Sequence, residues 1–211
     1  LYKLLGGYKK EIITDITISV NDPEEMAKDS IDAINRGFET LKIKVGKNAS
    51  VDIKRMKAIR EAVGYDVKLR IEVLRRMEDE GLDIEFVEQP VIAYDIDGLK
   101  FVTDNVSIPV LADESVFSPE DALTILQRRA ADFINIKLMK TGGLHNALKI
   151  CSMAEIYGIE CMIGCMLEAK VSVNAAVHLA AAKSIITKID LDGPVLCSED
   201  PVEGGAVFNE Y

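Results

Sequence analysis

Thr14-Asp15-Ile16-Thr17-Ile18-Ser19-Val20 runs directly into Asn21-Asp22-Pro23-Glu24. The first seven residues alternate and are rich in β-branched side chains, which predicts a strand. The next four carry a helix start, with Asp as the cap and Pro in the first turn. The rest of the chain repeats this βα unit. Further strands are predicted at Glu39–Val45, Val67–Ile71, Asp83–Val87, Ile108–Ala112, Asp132–Ile136, Ile159–Ile163 and Ile186–Leu191. Helical patterns fill the gaps. One starts at Ser118-Pro119-Glu120-Asp121 with Ser as its cap, one follows Gly142-Gly143, and one covers about Val171–Lys183. Strand–helix alternation implies parallel strands. Eight units with strand starts roughly 25 residues apart predict an α/β fold, a (β/α)8 TIM-like barrel filling residues 1–211 as one domain. No G-x-G-x-x-G turn follows the first strand, which argues against a dinucleotide-binding open sheet.

One interval breaks the rhythm. Lys68-Leu69-Arg70-Ile71 runs into Glu72-Val73-Leu74-Arg75-Arg76-Met77, a helical pattern, with no turn residue or cap between them. A strand-to-helix connection normally takes ~2 to 6 residues, so a gap of about 8 to 12 residues is expected at the 71/72 junction. The start, Leu1-Tyr2-Lys3-Leu4-Leu5-Gly6-Gly7, lacks Met and reads like a helix end with a Gly stop, as if the chain began mid-protein.

The net charge of −10 disfavours nucleic acid or an anionic membrane as the main partner, because phosphate binding needs a basic surface. No apolar run reaches membrane-spanning length and no signal-like start suggests export, so a cytoplasmic location is expected. Cys151, Cys161, Cys165 and Cys197 form no C-x-x-C pair and read as reduced thiols, not as a disulfide frame or zinc site. His145 and His178 sit in helical patterns, where surface or packing roles are expected.

Active sites of such barrels lie at the C-terminal strand ends, and here those ends carry charge. In the second strand Leu41, Ile43 and Val45 share one face, while Lys42 and Lys44 share the other and should point into the barrel mouth. The sixth strand ends Asn135-Ile136-Lys137, with Asn135 and Lys137 on one face. The fourth ends Glu88-Gln89-Pro90, the fifth Asp113-Glu114-Ser115 and the eighth Asp190-Leu191-Asp192. Strands two and six are four apart in a ring of eight, so Lys44 and Lys137 should oppose each other. Glu88 and Asp113 should be neighbours, as ligands of a hard cation are. A lone lysine at a strand end is usually a solvated charge, and each short acidic motif alone is ordinary loop chemistry. Charges at five strand ends in one mouth are costly to pack unless a metal or substrate balances them. Proton abstraction next to a carboxylate fits: a carboxylate-held divalent cation stabilises the enolate. A lysine kept partly neutral by burial and nearby positive charge, as Lys42 supplies beside Lys44, can take the proton. Two opposed bases invert the centre.

The chain resembles the muconate lactonizing enzyme branch of the enolase superfamily, most closely its dipeptide epimerases of the L-Ala-D/L-Glu type. The resemblance is carried by Thr40-Leu41-Lys42-Ile43-Lys44-Val45-Gly46, Val87-Glu88-Gln89-Pro90, Ala112-Asp113-Glu114-Ser115, Asn135–Gly143, Gly164-Cys165-Met166-Leu167-Glu168 and Asp190-Leu191-Asp192. It implies that Lys44 and Lys137 are the catalytic acid/base pair, that Lys42 contacts the substrate carboxylate or the enolate oxygen, and that Glu88 and Asp113 bind Mg²⁺. It also implies that Asp190 and Asp192 hold the α-ammonium of a dipeptide epimerised by 1,1-proton transfer. The use of a Lys base with Mg²⁺ is general to that superfamily. Three departures stand out. The family's third ligand, an Asp after the third strand, is expected after Ile71 and is not present there. The resemblance leads one to expect that the family's N-terminal α+β capping domain is absent from the sequence before Leu1 and that the C-terminal segment returning to it is cut short at Tyr211, as in part of a longer enzyme. Another reaction of the branch, muconate cycloisomerase or o-succinylbenzoate synthase, stays open, as does an inactive barrel fragment that only binds ligand. Homo-oligomers are common in the family, though no feature of this sequence indicates one.

Overall fold

The computed structural model describes residues 1–7, 9–46, 48–71, 81–199 and 202–208. The strands are β1 (Ile16–Ile18), β2 (Thr40–Ile43), β3 (Lys68–Ile71), β4 (Ile84–Glu88), β5 (Val110–Ala112), β6 (Phe133–Lys137), β7 (Glu160–Gly164) and β8 (Ile186–Asp190). Between them lie α1 (Pro23–Asn35), α2 (Ala49–Val63), α3 (Ile96–Asn105), α4 (Pro119–Arg128), α5 (Leu138–Thr141), α6 (Leu144–Tyr157) and α7 (Lys170–Ala180), with α8 (Gly193–Leu196) after β8. The strands pair in chain order, every pair parallel. This is the expected eight-stranded α/β barrel.

Among the described residues, three hydrogen bonds that cross the seam between β8 and β1 stand out. Asp15 N donates to Ile189 O at 3.3 Å and Leu191 N to Thr14 Oγ1 at 2.8 Å. Thr17 N donates to Asp192 Oδ2 at 2.7 Å. Two of the three use side chains, so barrel closure depends on Thr14 and Asp192 as well as on backbone geometry.

Local sequence accounts for the helix starts. Ser118 Oγ accepts from Asp121 N, and Asp121 returns a carboxylate oxygen to Phe117 N. Asp22 occupies the cap of α1 without a side-chain cap bond; the Pro23 turn starts that helix. Gly142 and Gly143 have φ of 81° and 95°, a left-handed pair that turns α5 into α6 and suits residues without Cβ. The short helix α5 was not expected from periodicity, being only four residues long. The 71/72 junction adjoins residues 72–80, which lie outside the described residues.

On either side of that stretch the chain is tied by Arg60 of α2. Its buried guanidinium donates to the carbonyls of Gly64, Val67, Leu82 and Asp83 at 2.7, 2.8, 3.0 and 2.9 Å. One side chain therefore joins the end of α2 to the entrances of β3 and β4. Arg60→Met strands these buried acceptors and is expected to lower the unfolding free energy by about 3 kcal/mol. Urea unfolding checks this; an unchanged midpoint would contradict the bracing role.

Candidate active site

Strand alternation sorts the side chains into an outer and an inner set. Val87, Val110, Ala112, Ile134, Ile136, Cys161, Ile163 and Ile189 face outward and join the helices in the main core. Phe86, Leu111 and Met162, with Phe133 against them, form a separate apolar cluster inside the barrel. Two residues further along the same strands, on the same face, stand Glu88, Asp113, Asn135 and Gly164, with Lys137 two residues beyond Asn135. An apolar plug thus lies beneath a charged layer at the C-terminal end.

The layer is tightly paired. Lys42 Nζ lies 2.8 Å from Glu88 Oε2 and 2.9 Å from Asp190 Oδ2, bridging β4 and β8 from β2. Lys137 Nζ lies 2.5 Å from Asp113 Oδ2, while Lys140 takes Asp113 Oδ1 and the Asp113 carbonyl. Glu88 and Asp113 are close enough to shift each other's proton affinity, and Asn135 Nδ2 donates to Glu88 Oε1 at 3.0 Å. Asp15 lies close enough to Asp190 to help lower its pKa. Lys42 and Lys137 are only 5% and 7% exposed.

These surroundings set the proton affinities. Burial pushes Glu88 up to about 8, against the pull of Lys42 and with a further push from Asp113. Burial opposes ionisation of Asp113 as well, but Lys140 and Lys137 outweigh it and hold that group well below the usual carboxylate range. For Asp190, Lys42 likewise overcomes burial and lowers the pKa, whereas burial and Asp190 raise that of Asp192. Burial lowers the affinity of Lys137 for its proton, but Asp113 reverses this and raises it. Lys137 is therefore an ammonium here, the acid form of the pair.

Lys44 is one residue past β2 and exposed, with its N–H bonded to Ile18 O. The loop that carries it is organised by buried Asp52, whose Oδ2 accepts from Gly46 N and Asn48 N. Lys42, Glu88, Asp113, Lys137 and Asp190 come together in one contact network. Asp192 sits at the seam, with Oδ2 committed to Thr17 N.

Four residues given no role from sequence belong to the site: Asp15, Gln89, Asn135 and Lys140. Period-two alternation places Asp15 on the inner face of β1, so it was legible by the rule applied to Lys42. Gln89 was not, since its effect lies in reach across strands. Its Oε1 accepts from Asp113 N and Ser115 N at 2.9 and 3.1 Å; its Nε2 donates to Val91 O and Ser115 Oγ at 3.0 and 2.8 Å. The backbone of Gln89 has φ of 44°, a left-handed conformation that costs a non-glycine residue about 1 kcal/mol or more and that these bonds hold in place.

Glu88 and Asp113 are hard, buried oxygen donors on adjacent strands, and burial disfavours the charged form of each, a cost that a bound cation would offset; both fit a divalent cation. Among the described residues no cluster of three metal-ligating side chains is present. Gln89→Leu removes four hydrogen bonds at similar volume and is expected to destabilise the protein by about 2 to 4 kcal/mol. Gln89→Glu, which keeps the accepting oxygen, should recover part of that. Equal stability of the leucine variant and the parent in urea would contradict the brace.

Comparison with known proteins extends this geometry. The family described as enolase C-terminal domain-like matches residues 25–209. The L-Ala-D/L-Glu epimerase of Clostridium acetobutylicum is 66% identical over 221 aligned residues, covering 99% of this chain and 62% of that protein. The hydrophobic dipeptide epimerase of Enterococcus faecalis is 48% identical, covering 97% and 61%. A substrate-liganded structure of the L-Ala-D/L-Glu epimerase from Bacillus subtilis superposes with a TM-score of 0.96 at 49% identity, covering 99% of this chain and 62% of that one. The Enterococcus faecalis dipeptide epimerase complexed with Mg and L-Leu-L-Tyr superposes at 0.93 with 47% identity, covering 98% and 61%. The chain spans about 62% of the length of these curated relatives. Its barrel, its charged layer and these matches together show that the chain belongs to the enolase C-terminal domain-like family.

Proposed function

We propose that this chain is the barrel of a Mg²⁺-dependent dipeptide epimerase, which inverts one α-carbon by 1,1-proton transfer through an enolate. One observation carries the reading. Among the described residues, the buried layer sets Asp15, Glu88, Asp113, Asp190 and Asp192 against Lys42, Lys137 and Lys140. Five carboxyl groups against three ammonium groups leave the site short of cations, and burial first, with the neighbouring carboxylates adding to it, makes Glu88 and Asp192 bind protons more tightly. A divalent cation and a substrate α-ammonium would supply the missing charge. A muconate-type dicarboxylate brings no such ammonium.

Each residue has a part. Glu88 and Asp113 would hold the metal, which supplies positive charge for the substrate carboxylate oxygens when bound. Lys42 offers a fixed positive charge to the same oxygens. Asp190 and Asp192 would bind the α-ammonium. Lys137, as an ammonium, delivers the proton from one side, and Lys44, at the end of β2, removes it from the other. The third metal ligand belongs to the segment expected at the 71/72 junction. The alignment with the Clostridium relative runs over 221 positions against 211 residues, so that relative carries extra positions in about the number expected for such a segment.

The test uses full-length protein, Mg²⁺ and a broad dipeptide library in D₂O. The expected result is α-deuterium incorporation for at least one dipeptide, cut about 10³-fold in Lys137→Ala when the starting epimer is the one whose α-proton faces Lys137. No incorporation across the library overturns the reading. Asp192→Asn keeps an oxygen for Thr17 N–H and removes the charge, so kcat/KM for the dipeptide should fall about 10- to 100-fold with the barrel intact. Unchanged kcat/KM would remove Asp192 from ammonium binding.

A further inference from the structure

Gly164, the last residue of β7, lies in register with Lys137 on β6 and Asp190 on β8. Its φ is not left-handed, so the backbone does not call for glycine. Glycine inside a strand weakens it and marks a close approach by other groups. Here the approach is by the site itself. A Cβ at Gly164 would lie 2.8 Å from Asn135 Oδ1, 3.0 Å from Asn135 Nδ2 and 3.0 Å from Lys137 Cε, inside the ~3.5 Å at which nonbonded carbon contacts become favourable.

Neither neighbour is free to give way. Asn135 is fully buried and donates to Glu88, and its Oδ1 has no hydrogen-bond partner. The Lys137 stem ends in the ion pair with Asp113. We infer that Gly164 is a positioning residue: the space left by its missing side chain seats the Lys137 stem and the Asn135 amide, and so sets where the Lys137 proton is delivered. This rests on the proposed role of Lys137 as one of two opposed acid/base groups.

The experiment measures α-proton exchange with retention in D₂O, starting separately from each epimer of a dipeptide, with full-length protein and Mg²⁺. Lys137→Ala run alongside identifies the epimer whose proton faces Lys137. In Gly164→Ala, exchange from that epimer should slow about tenfold or more, because the 3.0 Å contact displaces the Lys137 stem by part of the ~1 Å that costs about 100-fold. Exchange from the other epimer, through Lys44, should stay within about threefold. Epimerisation should fall equally in both directions, because it uses both lysines. Equal slowing of exchange from both epimers, or slowing of neither, overturns the inference. If the parent exchanges neither epimer, the proposed function fails, and this inference with it. If Gly164→Ala does not fold by circular dichroism, Asn135→Ser/Gly164→Ala relieves the amide contact and isolates the one with Lys137. Its parent for comparison is Asn135→Ser, and the same asymmetry is expected and the same symmetry overturns.

Discussion

Lys42 is the interaction on which the rest of the charged layer depends. It is almost wholly buried, yet it holds Glu88 with one contact and Asp190 with another, joining two distant strands across the barrel. An ion in such a place costs several kcal/mol in lost hydration unless opposite charge lies within contact distance. That cost constrains every neighbour. Glu88 cannot leave Lys42, Asp113 cannot leave Lys137 and Lys140, and each must therefore be carried to a fixed depth by its strand. The apolar plug of Phe86, Leu111, Met162 and Phe133 sets that depth from below, its two phenyl rings 5.8 Å apart and tilted by 60°.

Scaffold and site share residues, so each limits the other. Asp192 closes the β8–β1 seam with one oxygen and stands beside Asp190 at the mouth. Gln89 spends its whole hydrogen-bonding capacity on the ends of β4 and β5, the two strands that present Glu88 and Asp113. A left-handed glutamine persists in the native state because the surrounding bonds over-determine it. The pairing within the layer also explains why Lys137 carries its proton. Its partner is an ionised carboxylate in contact, and at such distances in a poorly solvated layer that attraction outweighs the pull of burial toward the neutral amine.

Much of this was legible in the chain itself. Thr14–Val20 followed by Asn21-Asp22-Pro23-Glu24 declared the βα unit, and its repetition gave the barrel with strand positions within about two residues of those observed. Period-two alternation put Lys42, Asn135 and Lys137 inside and Leu41, Ile43 and Ile136 outside, because a strand has only two faces. Chain order then made Glu88 and Asp113 neighbours, since parallel strands joined by helices pair in sequence. What no pattern could supply was reach. That Lys140 turns back onto Asp113, that Gln89 bridges to Ser115, and that Gly164 leaves room for Lys137 are distances between side chains on separate elements. The sequence by itself determined which residues face the barrel interior and in what order around the ring. Only the tertiary structure decided which charges touch and which proton each one keeps, because pairing and burial depend on separations of a few ångströms that chain order does not encode.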